Sequence, residues 1–228
     1  MIDAHFHLDE EIYDYVLNKD FIGILNVQNI KQYSKANELR ILNHNIYLSC
    51  GIHPWDVETI NIESMINIYK ECDVIGEIGL DHVWCDCDKQ LQIEVFEKQL
   101  QIALKLNKSV IIHMMGYEKV VLELLKQYPN QYLIHWVKPM DLLEEFIEIG
   151  CYFSVAFDYN EEVIKKIPIN RLLVESDGLE SLKWLGLDTK AYYQLDKLRL
   201  QTISKIKNID QSEMLQQIYL NLKRFIKE

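Results

Sequence analysis

The chain has 228 residues, of which 49% are apolar, with only 8 Gly and 4 Pro. That composition excludes disordered and collagen-like classes and fits one domain spanning residues 1–228. A formal net charge of −11 argues against a broad basic footprint for nucleic acid, although metal ions reverse the field locally around a bound phosphate. There is no signal-peptide pattern, no apolar run of membrane-spanning length and an odd count of five cysteines, so the expected setting is reducing and cytoplasmic, with no membrane partner.

In chain order, short apolar runs predict strands at 1–5, 21–27, 45–51, 73–77, 109–113, 131–135, 151–155 and 171–175. Helical spacing alternates with them over 10–18, 32–43, 60–71, 89–107, 116–128, 139–149, 160–166 and 190–207, with a last helix at 210–227. Asp88 is placed to cap the fourth helix and Asp210 to open the last one. Eight strand–helix units without a linker predict an α/β fold of the (β/α)8 TIM-barrel type. No G-x-G-x-x-G or P-loop pattern occurs, so no nucleotide cofactor is expected.

Several runs end in side chains that bind metals: His5 and His7 in MIDAHFH, Glu77 in DVIGEIG, His113 in SVIIH, His135 in QYLIH and Asp177 in LLVESD. A buried parallel strand delivers its last side chain to the top of a barrel, where active sites lie. The H-x-H pair points to one side of an extended segment, leaving Phe6 to pack away. Glu77 has two oxygens and could bridge two ions, with Gly76 and Gly79 beside it permitting close backbone approach. Asp81 is a candidate to orient a ligand histidine or to hold its loop. Glu175 shares strand parity with Asp177 and, if buried, needs a partner. Cys85 and Cys87 form a weak candidate for zinc, having no second pair nearby.

In order, MIDAHFHLD, GIHPWD, VIGEIGLD, VIIH, LIH and LLVESD resemble the successive motifs of the TatD family of metal-dependent hydrolases, within the amidohydrolase-like barrels. The resemblance runs from Met1 to about Gly178; Gln90, Phe96 and Gln99 fit the family helix after GEIGLD, and Asn221 and Phe225 its C-terminal element. It implies a TIM barrel with two divalent ions (zinc, manganese or magnesium) and phosphodiester hydrolysis, typically of DNA. Carried over, His5, His7, Glu77 and Asp177 hold one ion, and Glu77, His113 and His135 the other. His53 matches a histidine near substrate phosphate.

The expected reaction is therefore phosphodiester hydrolysis by water activated at a two-metal centre, with 3′–5′ attack on single-stranded DNA ends as the leading form. Asp177 and Glu77 are the expected catalytic residues, Asp177 as general base. Three departures bear on substrate: Met115 replaces the usual basic residue, Trp136-Val137-Lys138 follows the LIH histidine, and Gly178-Leu179 stands where Ala-Pro is usual. Trp136 offers a stacking face and Lys138 a replacement charge, making both candidate substrate contacts beside His53. The alternatives are an amide, lactone or small phosphoester hydrolase on the same metals, or a metal-binding barrel without catalysis. Gly178 to Asp188 is read as a short loop, and Tyr192 and Tyr193 as covering apolar surface in ordinary amphipathic packing or as a subunit contact.

Overall fold

Runs that are apolar at nearly every position become strands buried on both faces, as expected where helices cover a parallel sheet. The computed structural model describes the backbone of residues 1–228 and every side chain except those of Glu180, Thr189 and Tyr193. Its strands are β1 (Ile2–Phe6), β2 (Ile22–Val27), β3 (Ile46–Cys50), β4 (Val74–Asp81), β5 (Val110–Met115), β6 (Tyr132–Ile134), β7 (Tyr152–Val155) and β8 (Leu172–Val174). They pair in parallel in sequence order from β1 to β8. The seam between β8 and β1 is drawn together by the Asp177 amide donating to the His5 carbonyl at 3.1 Å and by Ser176 N–H donating to Asp3 Oδ1 at 3.0 Å. The result is the expected barrel, nearly closed.

The helices are α1 (Tyr13–Val16), α2 (Ile30–Leu42), α3 (Ile62–Glu71), α4 (Lys89–Lys105), α5 (Glu118–Gln127), α6 (Leu143–Glu148), α7 (Glu161–Lys166), α8 (Leu179–Trp184), α9 (Tyr192–Lys207) and α10 (Gln211–Phe225). Asp88 caps α4 by accepting from Leu91 N–H at 2.8 Å, and Asp210 caps α10 by accepting from Ser212 N–H at 2.8 Å. Both caps were legible as polar residues just ahead of helical spacing. Asn221 on α10 donates to the Ile169 and Leu172 carbonyls, tying that helix to the start of β8.

Three readings change. The segment Gly178 to Asp188 contains α8, which the sequence reading missed because six residues give too little periodicity to register. Strand β4 runs four residues beyond Glu77, because Gly76 (φ 152°) and Gly79 (φ 155°) let it lie against β5. A Cβ at Gly79 would lie 1.8 Å from the His113 carbonyl oxygen. Tyr192 is buried, packs against Tyr15 and Phe157 and donates from its hydroxyl to Asp3 Oδ2 at 2.8 Å, so of its two readings packing holds and a subunit contact does not. The side chain of Tyr193 lies outside the described residues.

Candidate metal centre

All six strand-end donors meet at the C-terminal end of the barrel. His5 Nε2 and His7 Nε2 lie 3.3 and 3.4 Å from Asp177 Oδ1, and 3.5 and 3.7 Å from Glu77 Oε2. On the other side of the same carboxylate, His113 Nδ1 and His135 Nε2 are each 2.7 Å from Glu77 Oε1, and His53 Nε2 is 3.6 Å away. Glu77 thus turns one oxygen to each of two donor sets. The groups that could hold an ion are His5, His7 and Asp177; His5, Glu77 and His135; and His53, Glu77 and His113. The H-x-H pair reaches one side as its parity requires, while Phe6 packs edge-on against Phe21 at 5.3 Å between centroids.

Two histidines on the second side, His113 and His135, are held from behind. His113 Nε2 meets Asp81 Oδ2 at 3.0 Å, and Asp81 Oδ1 accepts from the Val83 and Trp84 amides, both at 2.8 Å. Asp81 therefore performs both tasks its position implied. His135 Nδ1 meets Glu175 Oε1 at 3.3 Å, and Glu175 Oε2 also accepts from the Ser154 hydroxyl, which supplies the buried carboxylate's partner. Asn26 accepts the Glu77 amide at 2.8 Å, and α4 braces two of the loops: Gln92 accepts from Asp81 N–H, while Gln99 clasps both polar groups of the Ile52 backbone. Arg199, almost fully buried, donates to the Val155 and Glu175 carbonyls at the ends of β7 and β8. Sequence reasoning missed Asn26 and Arg199. For Asn26 the signal was a polar residue inside the apolar run GILNV.

The ionisation pattern is that of a proton-loaded donor cluster. Desolvation pulls the His7 imidazole down, but Asp177 and then Glu77 outweigh it and lift its pKa to about 10. His135 is pulled down by burial and raised well above the ordinary imidazole value by Glu77 and Glu175. Burial pushes Glu77 and Asp177 upward, yet the neighbouring histidines prevail and hold both below the usual carboxylate range. His53 goes the other way, since burial dominates and keeps it neutral. Its Nδ1 accepts from Trp55 N–H at 3.2 Å, so the neutral ring carries its proton on Nε2, toward Glu77.

Comparison with known proteins places this geometry. The family model described as TatD related DNase matches residues 2–227. The chain belongs to the TatD family of metal-dependent hydrolases. An uncharacterized metal-dependent hydrolase of Methanocaldococcus jannaschii is 27% identical across 99% of this chain and 96% of its own length. A 3′-5′ RNA nuclease of Homo sapiens is 29% identical over 59% of this chain and 19% of that longer protein. Among solved structures, a TatD homologue from Escherichia coli superposes with a TM-score of 0.82 at 19% identity, over 99% of this chain and 97% of that one, which establishes the shared barrel.

Around the donors of this TatD-family protein opens a cavity of about 840 Å3. All four tryptophans of the chain, Trp55, Trp84, Trp136 and Trp184, line it, together with Met114, Met115 and Met140. Lys138 lines it too, but its ammonium is paired with Asp158, which also accepts the Trp136 indole N–H. Trp136 and Asp177 both have left-handed backbones, at φ 43° and 56°. Such conformations cost on the order of 1–3 kcal/mol each and cluster where side-chain aim matters. Cys85 and Cys87 sit at the cavity's flank, with the Cys87 amide 3.2 Å from Cys85 Sγ. Among the described residues neither belongs to a group of three or more close donors.

Proposed function

We propose that the protein is a phosphodiester hydrolase using two divalent ions, one held by His5, His7, Glu77 and Asp177 and the other by Glu77, His113 and His135. The observation that carries this reading is the division of Glu77, whose Oε2 faces the first set and Oε1 the second. The donor set fits such ions on independent grounds. Both nitrogens of His5 are fully buried without a hydrogen-bond partner, though Nε2 looks at two carboxylate oxygens 3.3 and 3.5 Å away. A buried imidazole with no hydrogen bond, set between carboxylates, is costly unless a cation takes the intervening position. Four imidazoles among six donors favour zinc or manganese over magnesium.

Bound divalent ions supply positive charge that polarises a phosphoryl oxygen and makes water more acidic. The chain's own residues supply positioning and proton transfer. A water oxygen adds to phosphorus and gives its proton to Asp177, the bond from phosphorus to the leaving oxygen breaks, and that oxygen departs as an alcohol by taking up the proton from Asp177. Asp177 is ionised in the metal-free site, where His5 and His7 hold its pKa below the usual carboxylate range, and bound cations would favour the same charged form. His53, neutral and with its proton on Nε2, donates toward a phosphoryl oxygen and offsets charge that grows in the transition state. Asp81 and Glu175 fix the ring planes of His113 and His135, so no reorganisation is needed during the reaction. The human relative's description as a 3′-5′ RNA nuclease supports the phosphodiester bond as target, with attack from the 3′ end.

The test is hydrolysis of 3′-labelled single-stranded DNA and RNA and of bis-p-nitrophenyl phosphate by metal-stripped protein. Manganese, magnesium and zinc are restored separately, with His113→Ala as control. Metal-dependent cleavage lost in the control is the expected result. Bound metal with no cleavage of any of them would overturn the phosphodiester reading and move the search to amides and lactones.

A further inference from the structure

The four tryptophans at the cavity divide into two pairs. Trp55 and Trp136 spend their indole N–H groups on Asp81 and Asp158, which fixes them as wall. Trp84 and Trp184 instead meet each other, edge to face, with centroids 5.1 Å apart and planes at 84°. They are 54% and 67% exposed; Trp55 is also exposed, at 51%, but its indole N–H is held by Asp81, whereas Trp84 and Trp184 present their faces with only each other as ring partners among the described residues. Both backbones are anchored near the donors. The Trp84 amide donates to Asp81, the carboxylate behind His113, and Trp184 lies in the short helix whose Ser181 is bonded to the Gly178 carbonyl just past Asp177. Lys138 is the one Lys or Arg among the described residues lining this cavity, and Asp158 neutralises it. The rim therefore has broad π faces and little means of following a chain of phosphates.

From this we infer that Trp84 and Trp184 form a stacking clamp for one nucleobase, that of the terminal nucleotide whose phosphodiester reaches Glu77 and Asp177. The inference rests on the phosphodiester reading above and names how that site selects its substrate. A planar base inserting against either indole replaces a small edge-to-face contact with a broad stacked one. Stacking tolerates any base, because every base has a π face. Recognition then lies in the end of a strand rather than in its length.

The experiment compares manganese-loaded wild type, W84A/W184A and W84F/W184F on a deoxyadenosine dinucleotide, its abasic analogue and bis-p-nitrophenyl phosphate. Quenching of tryptophan fluorescence by dAMP and by deoxyribose 5-phosphate is measured alongside. For W84A/W184A the preference for the dinucleotide over its abasic analogue, in kcat/KM, should fall about ten- to hundredfold through KM, with W84F/W184F recovering most of it. The quench by dAMP should vanish in the alanine pair, and deoxyribose 5-phosphate should produce none in wild type. An unchanged preference would overturn the clamp, and a loss confined to bis-p-nitrophenyl phosphate would overturn the nucleobase in favour of an aryl group. If wild type cleaves none of the three, the phosphodiester reading fails. The quench then decides the clamp separately, since its loss in the alanine pair supports base stacking and its persistence sinks it.

Discussion

At the floor of the cavity each donor leaves a strand or the turn just beyond one, and the second-side histidines are held from behind, His113 by Asp81 and His135 by Glu175. At the mouth, Trp84 leaves a loop and Trp184 a six-residue helix, and both are more than half exposed. The floor is built from polar side chains that converge on Glu77, two of its histidines braced by a second carboxylate, and the mouth from the exposed faces of Trp84 and Trp184, which contact mainly each other. On the proposed reading, reaction type and substrate choice fall to parts of the molecule under different constraint. Substitutions at the mouth leave the barrel intact, while those at the floor disturb buried charge.

The largest effect should come from Glu77, which serves both donor sets. Glu77→Gln should cut turnover on the order of 10³-fold or more and reduce bound metal, read by elemental analysis of the purified variant. Asp177→Asn tests the proton acceptor and should lower kcat by about 10²–10⁴-fold. Full turnover in that variant with its metal content intact would remove Asp177 from the base role. Next come the supporting carboxylates. Asp81→Asn and Glu175→Gln should each weaken metal affinity or activity by about 10–100-fold, measured by titration with a competing chelator. At the mouth, Lys138→Ala should raise KM by about fivefold or less, since its charge is already paired with Asp158 at a part-exposed position. A much larger rise would make Lys138 a phosphate contact and narrow the contrast between floor and mouth.

A pH series sharpens the same contrast, because the floor gathers buried histidines and carboxylates with strongly shifted pKa values. His7 has a folded pKa raised to about 10 from an ordinary 6.5. Its contribution to metal-free stability is therefore whole below about 6.5 and is lost as pH rises through 10. Glu77 is depressed from an ordinary 4.5, so its contribution is whole above that value and is lost as pH falls through its lower folded pKa. The Tm of stripped protein should accordingly decline from pH 7 toward pH 10. Metal addition should reverse the trend, since ligation requires the histidines to give up their protons and binding tightens with pH. A stripped protein whose Tm rises steadily to pH 10 would contradict the charge pattern assigned to the floor.

The floor was far more legible in the sequence than the mouth, for a physical reason. A donor on a barrel strand must follow a short buried run, and strand periodicity fixes which side it faces, so His5, His7, His113 and His135 announce themselves. Asp81 and Glu175 could be suspected from spacing and parity. Asn26 and Arg199 could not be paired with Glu77 or the β8 carbonyls, because those contacts depend on packing between distant segments. The same holds at the mouth. Four tryptophans were visible as letters, but their convergence depends on loop paths and on α8, which is too short to carry a periodic signature.

One feature of the fold governs when this chemistry can begin. The seam between the first and last strands is tied by bonds such as Ser176 to Asp3, across 173 residues of chain. His5 and His7 stand on one side of that seam and Asp177 on the other. During synthesis the first histidines leave the ribosome long before their carboxylate exists, and such long-range closure is intrinsically late and slow. A nascent or truncated chain ending before β8 therefore has no complete donor set. Assembly of the donor set that spans the seam therefore waits until the barrel has closed.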